Sequence, residues 1–199
     1  MFTGIIEHLG KVKNLEKEGS NLHITIESAL AQEAYIDQSI AHNGVCLTIV
    51  SHDESSYVVT AIQETLDKKN LGSLKIGDLI NLERSMLPDK RMDGHFVQGH
   101  VDTTATCIEV AAVDGSWYFH FELPDEYAHL VVSKGSICIN GTSLTCILHD
   151  DKPEIFSVAI IPYTFEHTNF SVIKAGDKVN LEFDILGKYV TRYFALRTV

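Results

Sequence analysis

Short runs in which apolar and polar residues alternate recur along the whole chain and predict β-strands. The predicted strands cover residues 22–26, 39–41, 45–50, 57–62 and 79–83 in the first half, and residues 103–111, 117–123, 136–139, 144–148, 155–161 and 178–184 in the second half. Turn-forming Asn-Gly and Gly-Asp pairs separate these runs, and short helical turns are expected at residues 63–71 and 163–173. Many short strands at this spacing favour a small closed antiparallel barrel, because closure removes exposed sheet edges.

The second half of the chain repeats the motifs of the first half in the same order. Residues 39–48 and residues 136–145 share six of ten positions, namely Ser, Ile, Asn, Gly, Leu and Thr. Two further pairs of segments align, residues 22–27 with 117–122 and residues 75–83 with 174–182. The offset between the copies grows from 95 to 97 to 99, so the insertions fall between the strands. Collinear blocks of this kind indicate a tandem duplication.

The duplication predicts an all-β fold with one barrel per copy. Residues 1–94 form the first predicted barrel and residues 95–186 the second, with the polar residues 85–94 as the linker. Apolar residues at helix-like spacing within residues 187–199 predict a C-terminal helix with an apolar face, which we expect to mediate self-association.

Charge and composition argue against a nucleic-acid-binding, membrane-spanning or secreted protein. The net charge of −11 argues against a nucleic-acid partner, whose phosphates favour a basic surface. No run approaches the roughly 18–20 apolar residues of a membrane span, and residues 1–7 lack the regions of a signal peptide. The four cysteines, at positions 46, 107, 138 and 146, show no Cys-x-x-Cys spacing, so we expect reduced thiols in a cytoplasmic protein.

The motif Asn-Gly-x-x-Leu-Thr occurs in both copies, at residues 43–48 and 140–145. Asn-Gly favours a tight turn, and the strand after it offers backbone groups and a threonine hydroxyl that suit the polar edge of a flat heterocycle. A single Asn-Gly is more often a plain hairpin turn, but its repetition with Leu and Thr favours a ligand role. Thr65 and Thr164 follow the later strand of each copy, where threonine either caps a helical turn or belongs to a binding wall.

Histidine and cysteine side chains are the candidate reactive groups. His95 and His100 are five residues apart, on opposite faces of an extended segment, which makes them a poor metal site. A single histidine beside a ligand suits proton transfer near neutral pH, so His100 is the candidate, with a structural hydrogen-bonded histidine as the alternative. Cys46 lies where the second copy has Ser143, and is either a small buried side chain or a nucleophile.

Taken together, these motifs resemble the riboflavin synthase family. The specific marks are Met-Phe-Thr-Gly-Ile at residues 1–5, Asn-Gly-Val-Cys-Leu-Thr at 43–48, Gly-His-Phe-Val-Gln-Gly-His-Val-Asp at 94–102, Lys-Gly-Ser at 134–136 and Asn-Gly-Thr-Ser-Leu-Thr at 140–145. Each mark is weak alone, but their order over nearly the whole chain is specific. The resemblance implies two six-stranded Greek-key barrels and a homotrimer held by C-terminal helices. It also implies an active site between the first barrel of one subunit and the second barrel of its neighbour.

The resemblance further implies the reaction. Each barrel binds one 6,7-dimethyl-8-ribityllumazine, two per active site, and a four-carbon unit passes from one to the other to give riboflavin and 5-amino-6-(ribitylamino)uracil. No cofactor is required, because one substrate is the donor and the other the acceptor. Association with lumazine synthase is a further implied partnership. The alternative is an antenna protein of the same fold that binds lumazine without turnover, and the two intact loops with Cys46 and His100 favour the enzyme.

Site residues follow from the same resemblance, position by position. The positions associated with catalysis are Phe2, Cys46, His100, Ser143, Thr145 and Asp184. The implied substrate-binding residues are Gly4, Ile5, Ile6, Cys46, Leu47, Thr48, Thr60, Ala61, Ile62, Gln63, Glu64, Thr65, Gly99, His100, Val101, Lys134, Ser143, Leu144, Thr145, Ala159, Ile160, Ile161, Pro162, Tyr163 and Thr164. The acidic C7 methyl group of the lumazine suits a base such as His100, and its electrophilic C7 suits addition of water, a threonine hydroxyl or the Cys46 thiolate.

Overall fold

The computed structural model describes residues 1–197, in which two β-rich units follow each other along the chain. The first unit contains β1 (His8–Glu18), β2 (Asn21–Glu27), β3 (Ser39–His42), β4 (Val45–His52), β5 (Ser56–Ala61), α1 (Gln63–Lys68) and β6 (Leu79–Arg84). The second contains β7 (Thr103–Val113), β8 (Ser116–Glu122), β9 (Ser136–Ile139), β10 (Thr142–Thr145), β11 (Ile147–Leu148), β12 (Ile155–Ile160), α2 (Pro162–His167) and β13 (Lys178–Phe183), followed by α3 (Ile185–Ala195). The predicted all-β fold with a terminal helix is confirmed.

The first unit is a closed barrel with the strand order β1-β2-β5-β4-β3-β6. Strand β6 pairs with both β3 and β1, and this pairing closes the sheet. Alternating residues of each strand face inward, as with Leu22, Ile24 and Ile26 of β2, because side chains of a strand point to opposite faces in turn. Val101 of the second copy also packs into this core.

The second unit is a sheet of order β10-β9-β13-β7-β8-β12-β11 with its own core. Its two edge strands, β10 and β11, are separated in sequence by Cys146 alone. The sheet therefore curls until both edges reach the same stretch of chain. Together β10 and β11 take the place that β4 holds in the first barrel, so the second unit matches the six strands of the first.

Three element predictions differ from the structure. Strand β1 is missing from the predicted set, because most of its residues are polar and only Gly10 and Val12 are buried, so it has no clear apolar alternation. The strand predicted over residues 144–148 is interrupted at Cys146, whose backbone bonds to residues 134–135. Helix α3 begins before residue 187 because the Asp184 side chain accepts a hydrogen bond from the Leu186 N–H at 2.9 Å. Residues 198 and 199, the end of the predicted helix, lie outside the described residues.

The two units meet across a local pseudo-twofold axis. The Asn-Gly turns are confirmed as two-residue hairpin turns with positive φ at both positions, and Gly44 abuts Gly141 so closely that a Cβ on either would lie 2.8 Å from the backbone nitrogen of the other. Symmetry-related asparagines bridge the units in matched pairs of hydrogen bonds; these are Asn43, Asn70, Asn81, Asn140, Asn169 and Asn180. The turns therefore fix the relative position of the copies.

Candidate functional site

Each copy has a cleft where two neighbouring strands stop pairing. In the first barrel, β4 pairs with β5 only from Ile49 onward. The residues of β4 before Ile49 therefore diverge from the end of β5. In the second unit β12 pairs with β11, while β10 pairs with β9. The same gap therefore opens between residues 46–48 and 60–62 of the first copy and between residues 143–145 and 159–161 of the second.

The cleft of the second copy has a volume of about 520 Å³, which is within the usual range of small-molecule sites. Its lining residues are Asp93, Gly94, Ser136, Ser143, Leu144, Thr145, Ile147, Ala159, Ile161 and Thr164. Six of these belong to the predicted substrate-binding set, drawn from both walls. Sequence reasoning missed Asp93 and Gly94, which come from the segment treated as a linker, together with Ser136 and Ile147.

The backbone of the diverging strand faces the cleft in both copies. Ile49 and Cys146 direct their N–H and C=O groups away from the cleft, toward residues 37–38 and 134–135. Because these groups alternate in direction along an antiparallel strand, the backbone of Thr48 and of Thr145 points into the cleft. Both threonine side chains are exposed there. Each cleft thus offers a donor, an acceptor and a hydroxyl to the polar edge of a planar ligand.

The first cleft has a chain of hydrogen-bonded side chains that the second cleft lacks. The Thr60 hydroxyl lies 2.9 Å from Nδ1 of His23, and Nε2 of His23 lies 2.9 Å from Glu18. Ala159 occupies the position of Thr60 in the second copy, according to the repeat alignment. Ile62 and Ile161 are the exposed apolar residues at the same end of the two clefts.

Two extended segments cross from one copy to the other. The N-terminal strap (residues 2–4) and the inter-copy strap (residues 97–100) pair through Phe2 and Val97. The Gly99 carbonyl accepts a hydrogen bond from the Cys46 N–H at 2.9 Å, and the Gly4 carbonyl accepts one from the Ser143 N–H at 2.7 Å. Each strap therefore lies beside the cleft of the opposite copy. His100 is exposed, one residue beyond the contact with Cys46.

His95 is a site residue that sequence reasoning passed over as a candidate. Its Nδ1 atom lies 2.7 Å from the Ser143 hydroxyl. Burial lowers the pKa of His95, while the nearby Asp184 carboxylate opposes that shift, so the ring is neutral near pH 7. The repeated Gly-His pair at residues 94–95 and 99–100 was a usable signal, because it marks His95 as well as His100. His95 and His100 are thus divided between the second and the first cleft.

Several predicted site residues lie behind the clefts rather than in them. Phe2 is fully buried in a small cluster with Ala41, Val97 and Cys138, against which Cys46 packs. Four predicted binding residues are buried in the barrel cores, namely Leu47, Ala61, Val101 and Ile160. Only backbone atoms of these four can reach a ligand.

Other predicted binding residues are exposed or half-buried at the surface, whereas Gly4 and Gly99 are buried in the straps. Ile5 is exposed and Ile6 half-buried directly after the N-terminal strap. Gln63, Glu64, Pro162 and Tyr163 are exposed at the start of α1 and α2, beyond the clefts. Lys134 is exposed with a φ of 64°, beside the break at Cys146. The two threonines Thr65 and Thr164 are half-buried, and neither residue before α1 or α2 makes a side-chain cap.

Cys46 differs from the other three cysteines, which are buried. Burial raises the pKa of Cys107 to about 11 and that of Cys146 to about 12, and it holds the pKa of Cys138 well above its ordinary value. A thiol held protonated in this way is a poor nucleophile. Cys46 is half-buried beside the first cleft, where its N–H donates to the Gly99 carbonyl.

Within residues 1–197 no group of three or more histidine, cysteine, aspartate or glutamate side chains is arranged to hold a metal ion. Among the helices of the same residues, none has the length and apolar character needed to cross a membrane.

The family match and the sequence relatives of the chain point to the same family of proteins. The family described as "Lumazine binding domain" matches residues 3–85 and again residues 98–184. Riboflavin synthase of Actinobacillus pleuropneumoniae is 39% identical over 194 residues, covering 97% of this chain and 89% of the relative. Riboflavin synthase of Bacillus subtilis is 36% identical with the same coverage, and that of Mycobacterium tuberculosis is 38% identical over 96% of this chain and 97% of the relative.

Solved structures share the fold. Crystal structures of LumP complexed with 6,7-dimethyl-8-(1'-D-ribityl) lumazine and with riboflavin superpose with TM-scores of 0.82 and 0.83. Each covers 92% of this chain and 99% of LumP at 20% sequence identity. At this identity the likeness establishes the architecture alone.

Proposed function

The chain belongs to the riboflavin synthase family, and on that premise we propose that it converts two molecules of 6,7-dimethyl-8-ribityllumazine into riboflavin and 5-amino-6-(ribitylamino)uracil. It is a transferase that moves a four-carbon unit between two copies of one substrate. The observation that carries the proposal is the pair of clefts built on one backbone plan, one in each copy of a duplicated chain.

In the proposed complex each cleft holds one lumazine. The Thr48 and Thr145 backbones and hydroxyls bind the pyrimidine edge of the ring system, and the apolar residues Ile62 and Ile161 contact its face. Of the remaining predicted binding residues, those buried in the barrel cores contribute backbone atoms only, and those at the surface flank the ends of the clefts. Holding two flat rings face to face supplies most of the acceleration, since orientation contributes up to about 7–11 kcal/mol.

The first cleft holds the proposed reactive groups. The carbanion of the lumazine C7 methyl group is delocalised into the ring, so a base of modest strength removes its proton. His100 is exposed beside this cleft and takes that role. Cys46 or a water molecule adds to the electrophilic C7 atom of a lumazine. Phe2, which is buried against Cys46, acts by positioning that residue.

The second cleft replaces the thiol with a hydroxyl. Ser143 is hydrogen-bonded to the neutral His95, and Thr145 and Asp184 complete the proposed set of catalytic residues on this side. In this proposal the two clefts bind lumazine alike but differ in their reactive side chains, and this difference distinguishes the donor site from the acceptor site.

We propose a homotrimer in which the first cleft of one subunit faces the second cleft of its neighbour. Its support is the apolar surface of the terminal helix, where the exposed side chains are Leu186, Tyr189, Val190, Tyr193, Phe194 and Leu196. The domain limits of residues 1–94, 95–186 and 187–199, the cytoplasmic location and the association with lumazine synthase also stay predictions. The four free cysteines support the cytoplasmic location, because thiols stay reduced in that compartment.

Turnover of the lumazine alone tests the proposed function. Purified protein mixed with 6,7-dimethyl-8-ribityllumazine as the sole reactant is expected to produce riboflavin, followed by its absorbance, with one riboflavin formed for every two lumazines consumed. A stable lumazine complex without product would show instead an antenna protein of the same fold.

A further inference from the structure

The repeated triplet Asn-Leu-Glu lies in the last strand of each barrel, one residue before its end, at residues 81–83 of β6 and 180–182 of β13. Leu82 and Leu181 point into the cores. The asparagines bridge the two copies, as described above. The glutamates are equally buried, with 4% and 2% of Glu83 and Glu182 exposed. A buried carboxylate needs hydrogen-bond partners, because burial without them is strongly unfavourable.

Both carboxylates obtain their partners from the straps. Glu83 accepts hydrogen bonds from the Thr3 N–H at 2.7 Å, the Thr3 hydroxyl at 2.7 Å and the Gly4 N–H at 2.9 Å. Glu182 accepts from the N–H groups of Gln98 at 2.6 Å, Gly99 at 3.0 Å and His100 at 2.8 Å. Burial raises the pKa of both glutamates and these donors oppose the shift. Each strap is therefore held by three charge-assisted bonds.

The held straps contact the clefts of the opposite copy. Glu182 belongs to the second barrel, but the strap that it holds touches Cys46 of the first. Glu83 belongs to the first barrel, and its strap touches Ser143 of the second. The fit is tight, since a Cβ on Gly99 would lie 2.6 Å from Cys46 Cβ and a Cβ on Gly4 would lie 2.6 Å from Ser143 Cβ.

We propose that Glu83 and Glu182 are crossed positioning residues, each of which sets the geometry of the cleft in the other copy. Glu182 fixes the backbone of His100 and the carbonyl that orients Cys46. Glu83 does the same for the segment that orients Ser143. The kinetic consequence rests on the proposed function, whereas the geometric consequence does not.

The variants Glu182→Gln and Glu83→Gln, made in the full chain, test whether each glutamate acts on the cleft of the other copy. Glutamine keeps the shape but directs an NH2 group at N–H donors, which loosens the strap. The geometric readout is the rate of Cys46 alkylation by iodoacetamide, followed by mass spectrometry. We expect Glu182→Gln to raise this rate about tenfold, because it loosens the strap whose Gly99 carbonyl holds the Cys46 N–H, and Glu83→Gln to raise it less, because its strap reaches Cys46 only through Phe2. An unchanged rate in Glu182→Gln, or an equal change in both variants, would overturn the proposal.

Turnover gives the kinetic readout. We expect both variants to lose about 10- to 100-fold in kcat, with KM changed by less than about threefold, because the straps act on orientation more than on binding. An equal loss in kcat with a large rise in KM would point to general unfolding of the sites and would contradict a positioning role. If the wild type shows no turnover, the alkylation result still decides the geometry.

Amide hydrogen exchange of the unmodified protein provides a measurement that needs no variant. The N–H groups of Thr3, Gly4, Gln98, Gly99 and His100 should exchange at the slow rates of the barrel strands, although none lies within a named strand. Exchange of these amides at the rates of unstructured peptides would overturn the proposal even if both glutamine variants fail to fold.

Discussion

Replacing His100 by Ala is expected to lower kcat by about 10²–10⁴-fold with little change in KM. The imidazole is exposed beside the first cleft, and its backbone is fixed by Glu182, so its removal takes away a base without disturbing a packed core. Steady-state kinetics on lumazine give both parameters. His52→Ala is the matched control, because that histidine is exposed at the far end of β4 and should leave kcat unchanged.

The His95→Ala variant separates the two histidines. His95 is buried against Ser143 in the second cleft, so its loss should act on the orientation of that hydroxyl and reduce kcat less than the loss of His100. If His100→Ala retains activity to within about threefold of the wild type while His95→Ala loses more, the base is on the other side, and the assignment of His100 is wrong.

Breaking the apolar surface of α3 is expected to yield monomers that bind lumazine but turn it over at least about 100-fold more slowly. The double change Tyr189→Glu and Tyr193→Glu places two charges on one side of the helix, at i and i+4. Both clefts stay intact in a monomer, but they no longer face a partner cleft, and the advantage of orientation is lost. Sedimentation gives the mass and fluorescence titration gives the binding of lumazine.

Point variants are preferable to removal of residues 186–199, which would be expected to give the same monomer. Truncation also removes Lys188, whose ammonium group lies 2.7 Å from the Asp102 carboxylate, close to His100 in sequence. Ile76→Glu is the control, since it adds one acidic group at an equally exposed apolar residue outside the helix. A fully active monomer would exclude an active site shared between subunits.

Sequence patterns were sufficient to predict the two-barrel architecture, because the duplication places equivalent strand motifs in both halves of the chain. Tight turns at Asn43 and Asn140 followed from residue types that tolerate positive φ, and the inward residues followed from alternation. Strand β1 was missed because it is rich in charged residues and buries only Gly10 and Val12. A strand that buries so few apolar side chains gives no alternating pattern in the sequence.

Part of the site was predictable because the two copies can be aligned residue by residue. Alignment of the copies placed Gly4 over Gly99 and Cys46 over Ser143, and these pairs do lie at equivalent positions. It did not reveal that each strap crosses to the other copy, since a repeat is consistent with straps that stay on their own barrel. His95 was missed for the same reason, because its partner Ser143 is 48 residues away.

In the proposed enzyme, two copies of one substrate bind in two unlike clefts that face each other across a subunit boundary. A crystal structure of the protein with an unreactive lumazine analogue tests this arrangement most directly. We predict one analogue against Thr48 and one against Thr145 of a neighbouring subunit, with their ring planes in contact. Analogues bound in one kind of cleft only, or in both clefts but out of contact with each other, would contradict the account.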